Sequence, residues 1–234
     1  MNNIDFGTAF KELTPSLLEA LWTVVSLTLI AFSLALVIGM LIALGRLGKK
    51  QWLNRILVLF LELVRGTPLL VQLLYVYYVL PEIVSRVGAI WIPDYHVNFN
   101  AFTAGVIGLG INYGCYMSEV IRSSILAIDK GQMEAALALG YTQRQAMWHI
   151  VIPQSFRISI PPLGNYFIMM TKDTSLCAFI TLGEIILTTQ AYASQTFLTI
   201  ESYTIAALVY LLMGIPLGQG VRLLERRLSR HANV

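Results

Sequence analysis

The sequence predicts an all-α integral membrane protein with five membrane-spanning helices and, between the third and fourth, a cytoplasmic loop of two short helices. Three observations carry that prediction. The 234 residues are 56% hydrophobic and 12% charged, with mean hydropathy +0.69, well above the apolar share and below half the charged share of soluble domains. Apolar runs recur at lengths near the roughly 20 residues that cross a hydrocarbon core of about 30 Å. Lysine and arginine gather in alternate connections, the asymmetry that sets membrane orientation. No separate soluble domain fits, and a formal charge of +3 is too small and too dispersed to suggest nucleic acid as a partner.

The first run, Leu17–Leu44, is longer than a span needs, so it is expected to tilt or to project into water. The preceding "MNNIDFGTAFKELTPS" has no basic region leading into an apolar core, and no cleaved signal peptide is expected. The second run, about Leu53–Leu80, is interrupted by "ELVRGTP"; Pro68 removes a backbone donor and predicts a kink. The third lies at about Phe102–Ile121, the fourth at about Ile158–Ile186 with "TKDTS" interrupting it, and the fifth at about Ile200–Leu223. An odd number of spans places the termini on opposite sides.

Twelve of the sixteen basic residues decide which side: Arg46, Lys49, Lys50 and Arg55 after the first run, Arg122, Lys130, Arg144 and Arg157 after the third, and Arg222, Arg226, Arg227 and Arg230 after the fifth. Lys11 and Arg86 fall in the other connections. The positive-inside rule therefore puts the N-terminus outside and the C-terminus in the cytoplasm. Among the outer connections, "PEIVSRVGAIWIPDYHVNFN" carries Pro81, Trp91, Pro93, Tyr95 and His96. That composition suits headgroup depth, and His96 reads as a solvated loop histidine. Cys115 and Cys177 sit in apolar runs and read as small packed hydrophobes rather than as a disulfide or metal site.

The loop "DKGQMEAALALGYTQRQAMWHIVIPQ", residues 129–154, is built from helix signals. Asp129 with Gln132 and Thr142 with Gln145 have capping-box spacing. Gly140 suits a left-handed helix end, and Pro153 is expected to stop the second helix. Ala135, Ala136, Ala138 and Leu139 leave a face of little bulk, which another protein's groove could approach closely. A plain amphipathic surface helix fits the composition equally.

Polar groups at membrane depth are costly and should face the protein interior or a water cavity. Glu62 and Arg65, and again Glu119 and Arg122, stand three apart, so each couple is expected to pair locally; direct contact with the solute is the other reading of Glu62 and Arg65. Asn112, with Tyr113 and Tyr116 nearby, reads either as a helix-to-helix hydrogen bond or as a contact for a polar solute. Lys172 and Asp173 are adjacent, about 100° apart around a helix, so at least one must find a partner elsewhere. Thr171, Thr174 and Ser175 could satisfy backbone groups freed by a local break. A solute bearing both ammonium and carboxylate groups suits this mixture of signs. Holding spans or subunits together is the other reading of Lys172 and Asp173.

The stretch "EAALALGYTQRQAMWHIVIPQ", with Glu134, Ala135, Ala136 and Gly140 followed by Ile152 and Pro153, resembles the EAA motif of the membrane subunits of ATP-binding cassette importers. "RGTPLLVQL", "IDKGQMEAA", "IPQSFRISIPPLGNYFI" and "KDTSL" resemble the polar amino acid branch of that class, so that the likeness covers about residues 15–225. The resemblance implies the type I importer permease fold, with residues 129–154 as a loop of coupling helices. In it Glu134, Ala135, Ala136, Leu139 and Gly140 would meet a separate ATPase. Thr67, Gln72, Asn112, Tyr116, Glu119, Lys172, Asp173, Thr174 and Ser175 would lie along the substrate path.

The chain has no G-x-x-x-x-G-K-[ST] phosphate loop, and "GRLGKK" has the wrong spacing. ATP and magnesium are therefore expected on the partner, with no cofactor, metal or catalytic residue in this chain. The implied assembly is two such ATPase subunits, a second permease chain (a copy or a close paralogue) and an extracytoplasmic solute-binding protein, set in the lipid of a bacterial inner membrane. The implied cargo is a polar amino acid. A solitary ion-coupled carrier would usually show internal repeats, and an intramembrane enzyme would need a His and carboxylate arrangement within a span. Neither gives the EAA-like loop a role.

Overall fold

The computed structural model describes residues 5–48 and 50–229; Lys49, Arg230 and His231 lie outside them. Among the described residues there are eight continuous helices: α1 (Phe6–Leu47), α2 (Gln51–Arg65), α3 (Leu69–Gly88), α4 (Ala101–Leu126), α5 (Lys130–Ala138), α6 (Gln143–Ile180), α7 (Ile185–Thr196) and α8 (Thr199–Ser229).

Helix α1 starts at Phe6, eleven residues before the predicted boundary at Leu17. Asp5 caps it by accepting from the Thr8 amide at 2.9 Å, and the Thr8 hydroxyl and amide together hold the Asp5 carboxyl below the usual carboxylate range. The early start has a packing cause as well. Ala9, Leu13, Leu17, Ala20 and Val24 are buried against Ile185, Ile205 and Ala206, so the projecting end of α1 covers α7 and α8. At 42 residues the helix is roughly 63 Å long, about twice a hydrocarbon core.

The lower part of α1 packs along α4. Ala31, Ala35, Gly39 and Ala43 recur every fourth residue on α1, and α4 answers with Gly110 and Gly114. A Cβ on Gly110 would come 2.7 Å from Leu34 Cδ2, and one on Gly114 would come 2.8 Å from Ile38 Cβ. Small residues let the backbones meet where lipid offers no hydrophobic drive for association.

The second predicted run breaks into two helices rather than kinking within one. α2 ends at Arg65 and α3 begins at Leu69 behind Pro68. α2 lies antiparallel to α1, with Leu57, Leu61 and Val64 against Ile38, Ile42, Ile111 and Cys115. The third predicted run is α4, the buried centre of the bundle.

Pro153 does not stop the fourth element. A π turn at Met147–Val151 passes directly into the α-helix Ile152–Asp173, so Pro153 stands in the first turn after the widened turn, where a missing donor is tolerated. Helix α6 ends at Ile180, short of the predicted Ile186, because Thr181 turns left-handed (φ 63°). The short α7 follows at an angle of 51°.

By length and apolarity α1, α3 and α8 suffice to cross a membrane, and α6 with α7 adds a fourth if the bent pair is one span. α4 is 26 residues long. Its glycines, tyrosines and Asn112 make it less apolar because it meets protein rather than lipid.

Candidate functional site

A cavity of about 560 Å³ opens at the α2–α3 break, lined by Arg65, Thr67, Asn112, Tyr113, Tyr116, Tyr166 and Asp173 among others. Four elements build it. Asn112 and Tyr116 stand four apart on α4, and Tyr166 and Asp173 seven apart on α6, so each pair shares a helix face. The Tyr113 hydroxyl donates to Asp173 Oδ2 at 2.7 Å. The Arg65 guanidinium lies 5.5 Å from the centre of the Tyr116 ring, a cation–π distance. Tyr166 packs against both Tyr113 and Tyr116, with ring centroids at 6.0 and 6.3 Å. The lining thus offers one cation, one carboxylate and a group of aromatic faces.

The break itself is held by Gln72. Its Nε2 donates to Val64 O at 2.6 Å, Thr67 O at 3.0 Å and Thr67 Oγ1 at 2.9 Å, while its Oε1 accepts from Asn112 Nδ2 at 3.0 Å. Pro68 has no N–H, so carbonyls of the last α2 turn lose helical partners, and one amide side chain returns to them. Asn112 therefore has the helix-to-helix bond considered above and also lines the cavity.

The local ion pairs expected from spacing do not form. Glu119 pairs with Arg46 of α1 and lies 3.7 Å from Arg65 of α2. Glu62 and Arg122 take part in none of the ion pairs found among the described residues. Tertiary packing brings two cations to Glu119 from other helices, and these outcompete its own neighbour three residues on. Glu119 thus sits behind Arg65 rather than on the cavity wall.

Lys172 and Asp173 diverge, as their angular separation requires. Lys172 is exposed and points towards α8, where its Cε would lie 3.9 Å from a Cβ on Gly214. Thr174 is fully buried, and its hydroxyl donates to Thr171 O at 2.8 Å as the helix tightens to a 3-10 form. Lys172, Thr174 and Ser175 lie off the cavity lining, whereas Thr67, Asn112, Tyr116 and Asp173 lie on it. Arg65, for which contact with the solute is the second reading, and Tyr166, which the sequence reading did not single out, also belong to the lining. For Tyr166 the seven-residue step to Asp173 was the available signal.

The loop after α4 forms a second candidate surface. Asp129 caps α5 through the Gly131 amide, and the box expected with Gln132 does not close, because Gln132 Oε1 accepts from Gln154 Nε2 at 3.3 Å. The Thr142–Gln145 box is complete. Gly140 is left-handed with φ 89°. Glu134, Ala135 and Gly140 are exposed, Leu139 is 78% exposed, and Ala136 is buried in the loop's own packing.

The family described as "Binding-protein-dependent transport system inner membrane component" matches residues 35–230. The chain is 39% identical over 199 residues to a probable amino-acid ABC transporter permease, PatM of Vibrio harveyi, covering 85% of each chain. It is 34% identical to the L-cystine transport system permease TcyB of Bacillus subtilis, over 93% of this chain and 88% of that one. It is 32% identical to the glutamine transport system permease GlnP of Escherichia coli, over 92% and 94%. A solved structure described as an amino acid ABC transporter with histidines superposes with TM-score 0.83 at 34% identity, covering 97% of this chain and 100% of that one. A methionine ABC transporter, MetNI, shares the fold with TM-score 0.63 at 14% identity. With a break-lined polar cavity at its centre, the chain belongs to the inner-membrane components of binding-protein-dependent transport systems, the permease subunits of amino-acid ABC transporters.

Proposed function

We propose that this chain is the membrane subunit of an ATP-driven importer for a polar amino acid, and that the cavity at the α2–α3 break is where the solute passes. The observation that carries this reading is the pairing of Arg65 and Asp173 in one lining: a guanidinium matches a carboxylate and a carboxylate matches an ammonium. The cavity volume of about 560 Å³ falls within the range of small-molecule sites. The relatives' printed substrates, cystine and glutamine, are zwitterions of this kind.

In this reading α1, α2 with α3, α4, α6 and α8 make five spans, with the N-terminus outside and the C-terminus in the cytoplasm of a bacterial inner membrane. The loop over residues 129–154 then meets one of two ATPase subunits. Glu134, Ala135, Leu139 and Gly140 form the contact and Ala136 supports it from within. A second permease chain and an extracytoplasmic binding protein complete the assembly. Alternation of access moves α3 against α2 across the Gly66–Pro68 break. Glu119 holds Arg65 in place, and Lys172, Thr174 and Ser175 shape the far side of α6.

The test is uptake by the assembled transporter in vesicles with a panel of amino acids. Asp173→Asn and Arg65→Gln should each abolish uptake while the complex still assembles and its basal ATPase persists. Normal uptake by both variants would remove the cavity from the path. A cysteine at Gln143 that is labelled from outside would overturn the orientation.

A further inference from the structure

A second cavity, of about 390 Å³, lies between α6 and α8, away from the polar one, and its walls include Phe156, Pro161, Gly164, Pro216, Gly220 and Leu224. It is an almost wholly apolar groove. Gly164 would meet Val221 if it carried a Cβ, and Lys172 approaches Gly214. The two helices therefore run antiparallel in a register that sets Arg157 level with Arg227 and Leu228.

Both arginines continue the groove on their own helices. Arg157 is three residues before Ile160 and four before Pro161, which line the groove, and Arg227 is three residues after Leu224. Those steps keep a residue on one face. Arg157, Arg222, Arg226 and Arg227 at this end outnumber Glu225. The groove thus begins in apolar surface and finishes at positive charge.

From Pro216 to Leu224 it runs roughly 12 Å at the helical rise, close to one leaflet, about 15 Å, of the hydrocarbon core. We infer that this groove is a site for an anionic phospholipid, one acyl chain lying between α6 and α8 and its phosphate against Arg157 and Arg227. Basic ends of clefts between spanning helices on the cytoplasmic side suit such headgroups. A second copy docked face to face would set these arginines against their own equivalents, and like charges at an interface oppose association. The site rests on the reading of α6 and α8 as spans, and it is independent of the identity of the transported solute.

The test uses the whole transporter complex purified in neutral detergent, given phosphatidylglycerol or phosphatidylcholine of the same chains, with bound lipid counted by native mass spectrometry. The intact protein should retain phosphatidylglycerol in preference. Arg157→Gln with Arg227→Gln should weaken that retention about 30-fold, from roughly 1 kcal/mol per arginine, and leave phosphatidylcholine little changed. Gly220→Phe, at a position where an added Cβ meets nothing within 4 Å, should reduce retention of both lipids. Equal retention of the two lipids, or undiminished phosphatidylglycerol binding by either variant, would overturn the site. A disulfide between protomers carrying Gly220→Cys would also overturn it, by showing that a second copy covers the groove. ATPase stimulation by loaded binding protein, recorded on the same samples, separates loss of the lipid site from failure of the importer reading.

Discussion

Replacing Gln72 with leucine probes the broken span at its closing point. The side chain keeps its bulk, but the amide that reaches Val64 O at 2.6 Å, Thr67 O at 3.0 Å and Asn112 Nδ2 at 3.0 Å is gone. Two amide protons serve two of the three acceptors at a time, so two donated bonds and one accepted bond are lost. Side-chain hydrogen bonds in membrane bundles average about 0.6 kcal/mol, which puts the loss near 2 kcal/mol. The full cost of an orphaned buried carbonyl, about 1–3 kcal/mol, does not add, because Val64 O keeps the Thr67 amide at 3.4 Å and the Thr67 hydroxyl at 3.2 Å. Thr67 and Asn112 border the cavity, where water can replace part of what is lost, so the lower figure is expected. Reversible unfolding of the complex in nanodiscs should show Gln72→Leu less stable by about 2 kcal/mol, with Asn112→Ala less affected and the double variant less than additive. Uptake should fall as well, since α3 loses its hold on α2. Stability of Gln72→Leu within about 0.5 kcal/mol of the parent, a surface-like value, would refute the reasoning that this amide closes the break.

Glu119→Gln leaves Arg46 and Arg65 without their shared carboxylate. Breaking a fully buried pair costs about 3–5 kcal/mol. Because Glu119 is 35% exposed, about 1–2 kcal/mol is expected by thermal unfolding, partly restored by adding Arg46→Met. Gly114→Val forces a Cβ to 2.8 Å from Ile38 Cβ and 3.2 Å from Ala35 O; overpacking of about 1–3 kcal/mol should lower the yield of folded protein, whereas Gly218→Ala, in open space, should not. Gly140→Val meets no atom within 4 Å but must hold φ 89°, a strain of about 1–3 kcal/mol. Its effect should fall on recovery of the ATPase in pull-downs while thermal unfolding of the bundle is unchanged.

Much of this protein follows from local patterns. An irregularity at Pro68 was legible, as a kink rather than the full break that forms, because proline lacks a donor wherever it stands. The Thr142–Gln145 cap and the left-handed Gly140 were legible because caps and positive φ are set within a few residues. The divergence of Lys172 and Asp173 follows from helix geometry alone. The polar face of α4 was also readable, since Asn112 and Tyr116 are one turn apart. The stripe of Ala31, Ala35, Gly39 and Ala43 carried an equally local signal for close helix contact that the sequence reading passed over.

What the chain order could not decide was which partner each group would find. Glu119 has Arg122 three residues away, yet it pairs with Arg46 and Arg65, which stand 73 and 54 positions earlier in the chain. The family resemblance implies a place on the substrate path for Gln72, and packing makes it the closure of a broken helix. α7 and the N-terminal end of α1 are too polar to announce themselves as elements, and they form because each covers the other. Composition, periodicity and caps set the helices, the membrane class and the positions where helices break, because those depend on neighbours in sequence. Ion-pair partners, the cavity at the α2–α3 break and the groove between α6 and α8 were decided by the tertiary structure, because burial and charge respond to whatever lies nearest in space.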